Sequence, residues 1–151
     1  MKLQRGFTLL EMLVTVTVLA ILASAIIPMA KNGIRRQKEL ELRRALREIR
    51  MAIDDHKQKV DQQKIKNTAP ENNGYPESLE MLVEGVPMTG KTTKMHFLRR
   101  IPVDPFTFKA EWGMRSISDD PTSSSWGGGN VYDVYSLAQG KGANDIPYRD
   151  W

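Results

Sequence analysis

The sequence predicts an α+β protein. It has one long amino-terminal helix, transmembrane in its first half and amphipathic in its second, packed on a head with a small antiparallel sheet. Three observations predict this. Phe7 to Ile27 is a run of 21 residues with one charge, Glu11. Residues 31 to 66 are then crowded with Lys, Arg, Glu and Asp around apolar positions at three- and four-residue steps, the period of one helix face. Two stretches nearer the carboxyl end, 106–114 and 131–137, carry strand patterning. The chain divides accordingly into 1–6, 7–29, 30–63 and a small α+β head, 64–151.

With 151 residues there is room for one domain, which excludes a multidomain enzyme. Lys+Arg 22 against Asp+Glu 18 gives a formal charge of +4. Cys 0 excludes disulfides, thiolate metal sites and a cysteine nucleophile. The head must hold itself by packing, or by a metal bound through oxygens.

The first six residues, Met1-Lys2-Leu3-Gln4-Arg5-Gly6, carry two positive charges and no negative one. The positive-inside rule keeps this end in the cytoplasm and sends the rest across. As a helix, Phe7 to Ile27 spans roughly 31 Å, against a hydrocarbon core of about 30 Å. Ala23-Ser24-Ala25 imitates a secretory cleavage site, but such signals have a shorter apolar region of about 7–15 residues. Glu11 is expensive in hydrocarbon, about 2–3 kcal/mol at mid-bilayer, so it either lies shallow enough to reach headgroup water or has a partner. One polar residue in an apolar seam can also fix the register of packed helices, at a cost in stability.

Arg5-Gly6-Phe7-Thr8-Leu9-Leu10-Glu11, followed by an apolar helix and Pro28, closely resembles the type III signal of type IV pilins and type II secretion pseudopilins. The resemblance implies a leader peptide, residues 1–6, cut between Gly6 and Phe7 by a prepilin peptidase that also methylates the Phe7 amine. It implies that Glu11 meets the Phe7 amine of a neighbouring subunit, an attraction that is strong in a water-poor filament core. Loss of Lys2 and Arg5 lowers the formal charge from +4 to +2, 20 basic against 18 acidic, so cationic character is weak evidence for a polyanionic partner. Thr8, Thr15, Thr17 and Ser24 are expected to return their hydroxyls to carbonyls one turn earlier.

Pro28 removes an intrahelical hydrogen bond and clashes with the Ser24 carbonyl, at about 3 kcal/mol, so a kink is expected there. The resemblance associates such a proline with bending or partial melting of the stem in filaments. The alternative is that the first helix ends, with Asn32-Gly33 as its stop. Beyond Ile34, Leu42, Ala45, Leu46, Ile49, Ala52, Ile53, His56 and Val60 mark an amphipathic helix over 30–63, its stripe facing the head or neighbouring subunits. The i,i+4 pairs Glu39–Arg43, Arg44–Glu48 and Arg50–Asp54 are worth about 0.2–0.5 kcal/mol each and read as a solvated face. Their interleaved acids argue against a nucleic-acid partner, which favours a purely positive stripe. His56, on the stripe, reads as a packed side chain.

In the head, 64–74 reads as a loop and Glu77–Glu84 as a short helix opened by Pro76 and closed by Gly85. Gly85-Val86-Pro87-Met88-Thr89-Gly90-Lys91-Thr92 matches the phosphate-loop pattern G-x-x-x-x-G-K-[ST]. A working phosphate loop joins a buried strand to a helix. Here a helix precedes the match, Pro102 follows soon after, and 66 residues remain beyond Gly85, too few for a nucleotide-hydrolysing domain. Lys91 and Lys94 are expected on a flexible loop. Phe106, Phe108, Ala110, Trp112 and Met114 alternate with polar residues as one strand, and Val131–Leu137 forms a second that pairs antiparallel with it. His56 and His96 have no nucleophile pattern beside them, and no catalytic residue is expected.

Tyr75-Pro76 with Leu79-Glu80-Met81-Leu82, the run Leu98-Arg99-Arg100-Ile101-Pro102-Val103-Asp104-Pro105-Phe106, Tyr132-Asp133-Val134-Tyr135-Ser136, and Asn144-Asp145-Ile146 with Trp151 together look like the major pseudopilins of type II secretion. Adhesive type IV pilins commonly carry a cysteine-bridged terminal loop, and Cys 0 argues against that branch. The resemblance covers nearly the whole chain and implies a pilin-like fold. It also implies calcium in the last loop, with Ser136, Asn144, Asp145 and Asp150 as the candidate donors among the six to eight oxygens that calcium takes. Gln139-Gly140-Lys141-Gly142 departs from the family's Asp-Gly there, and Lys141 adds a positive charge. The alternative is an uncharged turn held by Tyr148 and Trp151 packing.

The function implied is that of a structural subunit, inserted in the inner membrane with a periplasmic head, that polymerises into a helical filament supporting protein secretion. Its implied partners are further copies of itself, the prepilin peptidase, the inner-membrane assembly platform and minor pseudopilins. The runner-up is a type IV pilin of a surface fibre for adhesion, motility or DNA uptake. A reading from another class is a single-span anchored nucleotide- or nucleic-acid-binding protein.

Overall fold

The computed structural model describes residues 6–67 and 70–151; within its long helix, the side chains of residues 25–31 lie outside the description. The elements in chain order are α1 (Leu9–Asp61), a 3-10 turn (Pro70–Asn72), α2 (Leu79–Glu84), β1 (Val86–Pro87), β2 (Lys94–Met95), β3 (Gly113–Arg115), β4 (Asp133–Tyr135) and a last 3-10 turn (Tyr148–Asp150). The fold is thus α+β, a long amino-terminal helix with small antiparallel sheets. Contacts divide the chain into two units, Met1–Gln37 and Lys38–Trp151.

α1 is a single 53-residue helix, so the stop expected at Asn32-Gly33 is not used. A helix end of that kind needs a residue in the left-handed conformation, and Gly33 does not adopt one. As an interior residue it costs only about 1 kcal/mol relative to Ala. The kink expected at Pro28 falls in 25–31, outside the described residues.

Within Lys38–Trp151 the helical periodicity is expressed as packing. Leu42, Ala45, Leu46, Ile49, Ala52, Ile53 and His56 are buried in one stripe, with Val60 half-buried at its end. Leu79 and Leu82 of α2, Leu98, Trp112, Val131, Val134 of β4 and Tyr148 complete the core around it. α2 starts where the Ser78 hydroxyl accepts the Met81 amide at 3.4 Å, and it ends at Gly85, whose φ of 81° only glycine adopts readily.

The strands form two separate two-stranded antiparallel sheets, β1–β2 and β3–β4. The second pairs Gly113 with Tyr135, Met114 with Val134 and Arg115 with Asp133. Gly113 is required there, because any side chain would run into the Tyr135 ring. The strand expected over 106–114 shrinks to Gly113–Arg115, and the reason is Asp104, which is 0% exposed. Its Oδ1 accepts the amides of Phe106 at 2.7 Å and Thr107 at 3.3 Å, while its main chain bonds Phe108 and Lys109 at 2.8 and 2.9 Å. This closed turn, with Phe108 at φ 58°, overrides the two-residue alternation. Asp104 Oδ2 accepts the Ser136 hydroxyl at 2.5 Å, tying the turn to the end of β4.

The stretch that resembles a phosphate loop is a hairpin, not the flexible loop expected. Val86 faces Met95 and Pro87 faces Lys94, and the Met88 amide reaches Thr93 O at 3.0 Å. The chain passes there from helix to strand, the reverse of the order that cradles phosphates. In the excursion between β3 and β4, Asp119 accepts the amides of Gly127 at 3.0 Å and Ser116 at 2.7 Å; these bonds hold its carboxyl below the usual range.

Two measurements check these packing assignments. Asp104→Ala leaves buried donors unanswered and is expected to cost about 3 kcal/mol, read as a lower urea midpoint; an unchanged midpoint would remove Asp104 as a node. Burial pushes the His56 imidazole below its ordinary value of 6.5, against the opposing effects of the Gly74 carbonyl and Asp55. Its contribution to stability is therefore complete above pH 6.5 and is lost as pH falls below that value toward the depressed folded one. His56→Gln is expected to flatten the difference in stability between about pH 7.5 and about pH 5.5 relative to the parent chain.

Candidate functional site

Gly6 and Phe7 are exposed, Phe7 to 76%. Thr8 opens α1: its Oγ1 accepts the Glu11 amide at 3.2 Å and its carbonyl accepts the Met12 amide at 3.1 Å. The Thr8 hydroxyl thus caps the helix as an acceptor, while the carbonyls one turn earlier, to which it was expected to return, belong to Gln4 and Arg5, outside the described residues. The signal was present in the sequence, since Thr8-Leu9-Leu10-Glu11 has the Thr-x-x-Glu spacing of a capping box. Thr15, Thr17 and Ser24 do bond back, to Met12 O, Leu13 O and Ile21 O at 2.9, 2.7 and 2.7 Å. The Gly6–Phe7 bond lies ahead of both the cap and the first helical residue. Glu11 sits in the first turn with its side chain exposed, where a negative charge complements the helix dipole.

Between Leu9 and Leu22 the helix has no continuous polar face. Leu9, Leu13, Val16, Leu19 and Leu22 are 59 to 85% exposed, and Leu10, Val14, Val18 and Ile21 between them are 49 to 71% exposed. A helix apolar all round belongs in hydrocarbon or in a core made with other chains. Among the described residues no helix is long and apolar enough to cross a membrane. The expected span continues to Ile27, through 25–31, whose side chains lie outside the description. Pro28 lies there too.

The four candidate calcium donors are not brought together. Ser136 is 0% exposed; its hydroxyl donates to Asp104 and accepts the Ala138 amide at 3.0 Å. Asn144 Oδ1 accepts the Ile146 amide at 3.3 Å. Asp145 is exposed in a turn at φ 60°. Asp150 pairs with Arg149 at 3.7 Å and borders a cleft also lined by Arg43, Arg47 and Arg50. No group of three or more Asp, Glu or His among the described residues could hold a metal ion. The donor set therefore does not fit calcium.

The loop is held by packing and by side chains that looked solvated in the sequence. Tyr148 stacks on Phe106 with centroids 4.3 Å apart and meets Trp151 edge-on at 5.2 Å. Glu39 is 8% exposed, and its Oε1 accepts the Ala143 amide at 3.0 Å and the Tyr148 hydroxyl at 3.2 Å. Arg43, expected beside Glu39 in water, lies over the Trp151 ring at 4.3 Å. Arg50 bonds Asp133 at 2.7 Å rather than the expected Asp54. These partners are about a hundred residues away in sequence, beyond the reach of local spacing. His56 and His96 each meet a carbonyl, Gly74 O at 3.1 Å and Val83 O at 2.7 Å, which assigns their ring nitrogens to structural bonds.

Residues 1–27 match the prokaryotic N-terminal methylation motif. The chain is 30% identical over 109 residues to the type II secretion system core protein G of Escherichia coli K12, covering 68% of this chain and 67% of that protein. It is 28% identical over 158 residues to the protein of the same name from Pseudomonas aeruginosa PAO1, covering 98% and 95%. No solved structure gives a significant match. An amino-terminal methylation motif ahead of an all-apolar helix, joined to a head whose sequence aligns with these relatives, places the chain in the type II secretion core protein G family, the major pseudopilins.

Proposed function

We propose that this chain is a structural subunit of the type II secretion pseudopilus. It is inserted in the inner membrane with its head in the periplasm, cut by prepilin peptidase between Gly6 and Phe7, methylated at Phe7, and polymerised to support protein secretion. The observation that carries the reading is the exposed apolar surface of α1 from Leu9 to Ser24, in which Glu11 is the one charged residue. The head's own core does not use that surface, so lipid or other subunits must.

Processing gives Glu11 its task. A new amine at Phe7 is a positive charge placed against the positive end of α1, an unfavourable position unless a carboxylate is close. Glu11 supplies that carboxylate to the amine of an adjoining subunit, and the pairing is strong only where water is scarce. It therefore fixes the axial register of helices whose remaining contacts are interchangeable Leu, Val and Ile. Pro28 marks where the stem yields on assembly. The inner-membrane platform and minor pseudopilins act as further partners, and the subunit's work is mechanical rather than catalytic. Both named relatives are secretion proteins, which favours this reading over a surface-fibre pilin.

Intact mass and amino-terminal sequencing of the membrane-extracted protein should give a chain beginning with N-methylated Phe7; an unprocessed Met1 in a host with active prepilin peptidase would overturn the reading. Glu11→Ala should still be processed but form filaments about tenfold or more poorly, the equivalent of about 1.4 kcal/mol. Sheared-filament yield reads the effect, and parental yield from the variant would remove the register role.

A further inference from the structure

We propose that the head locks its last segment with its own guanidinium groups where a divalent cation would otherwise gather oxygens, and that its stability is therefore independent of calcium. The site is Asp133 on β4. Arg50, from α1, donates Nε to Asp133 Oδ1 at 2.7 Å and Nη2 toward Oδ2 at 3.5 Å. The same Nη2 lies 3.0 Å from Val134 O and 2.8 Å from the backbone oxygen of Trp151. Arg115, 7% exposed, approaches Asp133 Oδ2 from β3 at 3.5 Å through Nη1. It donates Nε to Ser123 O at 2.9 Å and Nη2 to Arg149 O at 3.3 Å, with its guanidinium over the Tyr135 ring at 4.3 Å.

One carboxylate thus anchors two fixed cations, and their remaining donors collect backbone oxygens from the excursion, from β4, and from within and just after the last turn. A bound calcium does the same work by drawing carboxylates and carbonyls onto one positive centre. Two features make the substitution exclusive. Two of the loop's carbonyls and the carboxylate facing it are engaged: Gly142 O accepts the Asp145 amide at 3.0 Å, Ile146 O accepts the Gly142 amide at 2.8 Å and the Trp151 indole at 3.2 Å, and Glu39 is bonded to Ala143 and Tyr148. The surroundings are also positive, since Arg43, Arg47 and Arg50 line the cleft beside Asp150, and Arg149 pairs with it. A guanidinium keeps its charge at any accessible pH and offers several donors in a fixed plane, so it can hold separated carbonyls that a rigid loop cannot bring within coordination distance of one ion.

The inference concerns the folding of the head and stands whatever the subunit assembles into. The test uses the full chain in detergent, with thermal unfolding followed in excess EDTA and then in millimolar calcium. The midpoint should agree within about one degree between the two, where a shift of about 2–4 °C already corresponds to a modest stabilisation for a chain of this size. A midpoint raised by calcium beyond that range would overturn the proposal. Amide exchange in Arg50→Gln supplies the second arm. Exchange at residues 142–151 should quicken about tenfold or more while the buried stripe Leu42–Ile53 stays protected. Unchanged protection of 142–151 would show that the guanidinium does not hold the segment, and would equally overturn it.

Discussion

The stripe of Leu42, Leu46, Ile49 and Ile53 is the wall on which the head is built. Each of these residues is at most 2% exposed. Regular structure elsewhere in the head is scant: a six-residue helix and two sheets of two strands. Two-stranded ribbons are marginal in water, so the β3–β4 ribbon depends on Val134 and its neighbours closing on that wall. Long stretches between them are irregular, and their polar main chain must be answered individually. Asp104 answers the turn before β3, Asp119 the excursion after it, Glu39 the last loop, and Arg50 with Arg115 the final turn. None of the described buried side-chain nitrogens or oxygens lacks a partner. The polar nodes are thus a consequence of a core built on one helix face and closed largely by irregular chain.

How far the sequence disclosed this depends on the range over which each interaction acts. The second half of α1 was legible because its period is local: seven of the eight stripe residues are buried and the eighth is half-buried. The amino-terminal motif was legible because its residues, Arg5 to Glu11, are contiguous, although the Thr8 cap within it was not read. Alternation over 106–114 misled, since Asp104 two residues upstream closes a side-chain turn that period-two counting does not weigh. The hairpin at 86–95 was hidden because two-residue strands leave no pattern to count. Glu39, Arg43 and Arg50 looked solvated, having plausible neighbours four residues away. Their actual partners, Tyr148, Trp151 and Asp133, become neighbours only after the chain has folded back. The candidate calcium donors are close in sequence but separate in the fold: Ser136 and Asn144 are engaged in hydrogen bonds, Asp150 pairs with Arg149, and Asp145 is exposed in a turn.

The two units obey different physical rules. Every residue of the head's core lies between Leu42 and Trp151, inside the unit Lys38–Trp151. The described apolar side chains from Leu9 to Leu22 are absent from that core and lie on every face of the helix, a surface that suits acyl chains and other apolar helices alike. A subunit that moves from lipid into a filament, as proposed, needs that indifference, because a stem bound much better by either environment would be trapped there. Indifference alone gives no register, and this is the task that the proposed function assigns to the single costly carboxylate near the start of the helix. A head that depended on the stem for its core would lose stability whenever the stem changed surroundings. Among the described residues the core begins at Leu42, which avoids that coupling, and under the proposed function Glu11 is left as the polar element through which the stem distinguishes an ordered neighbour from lipid.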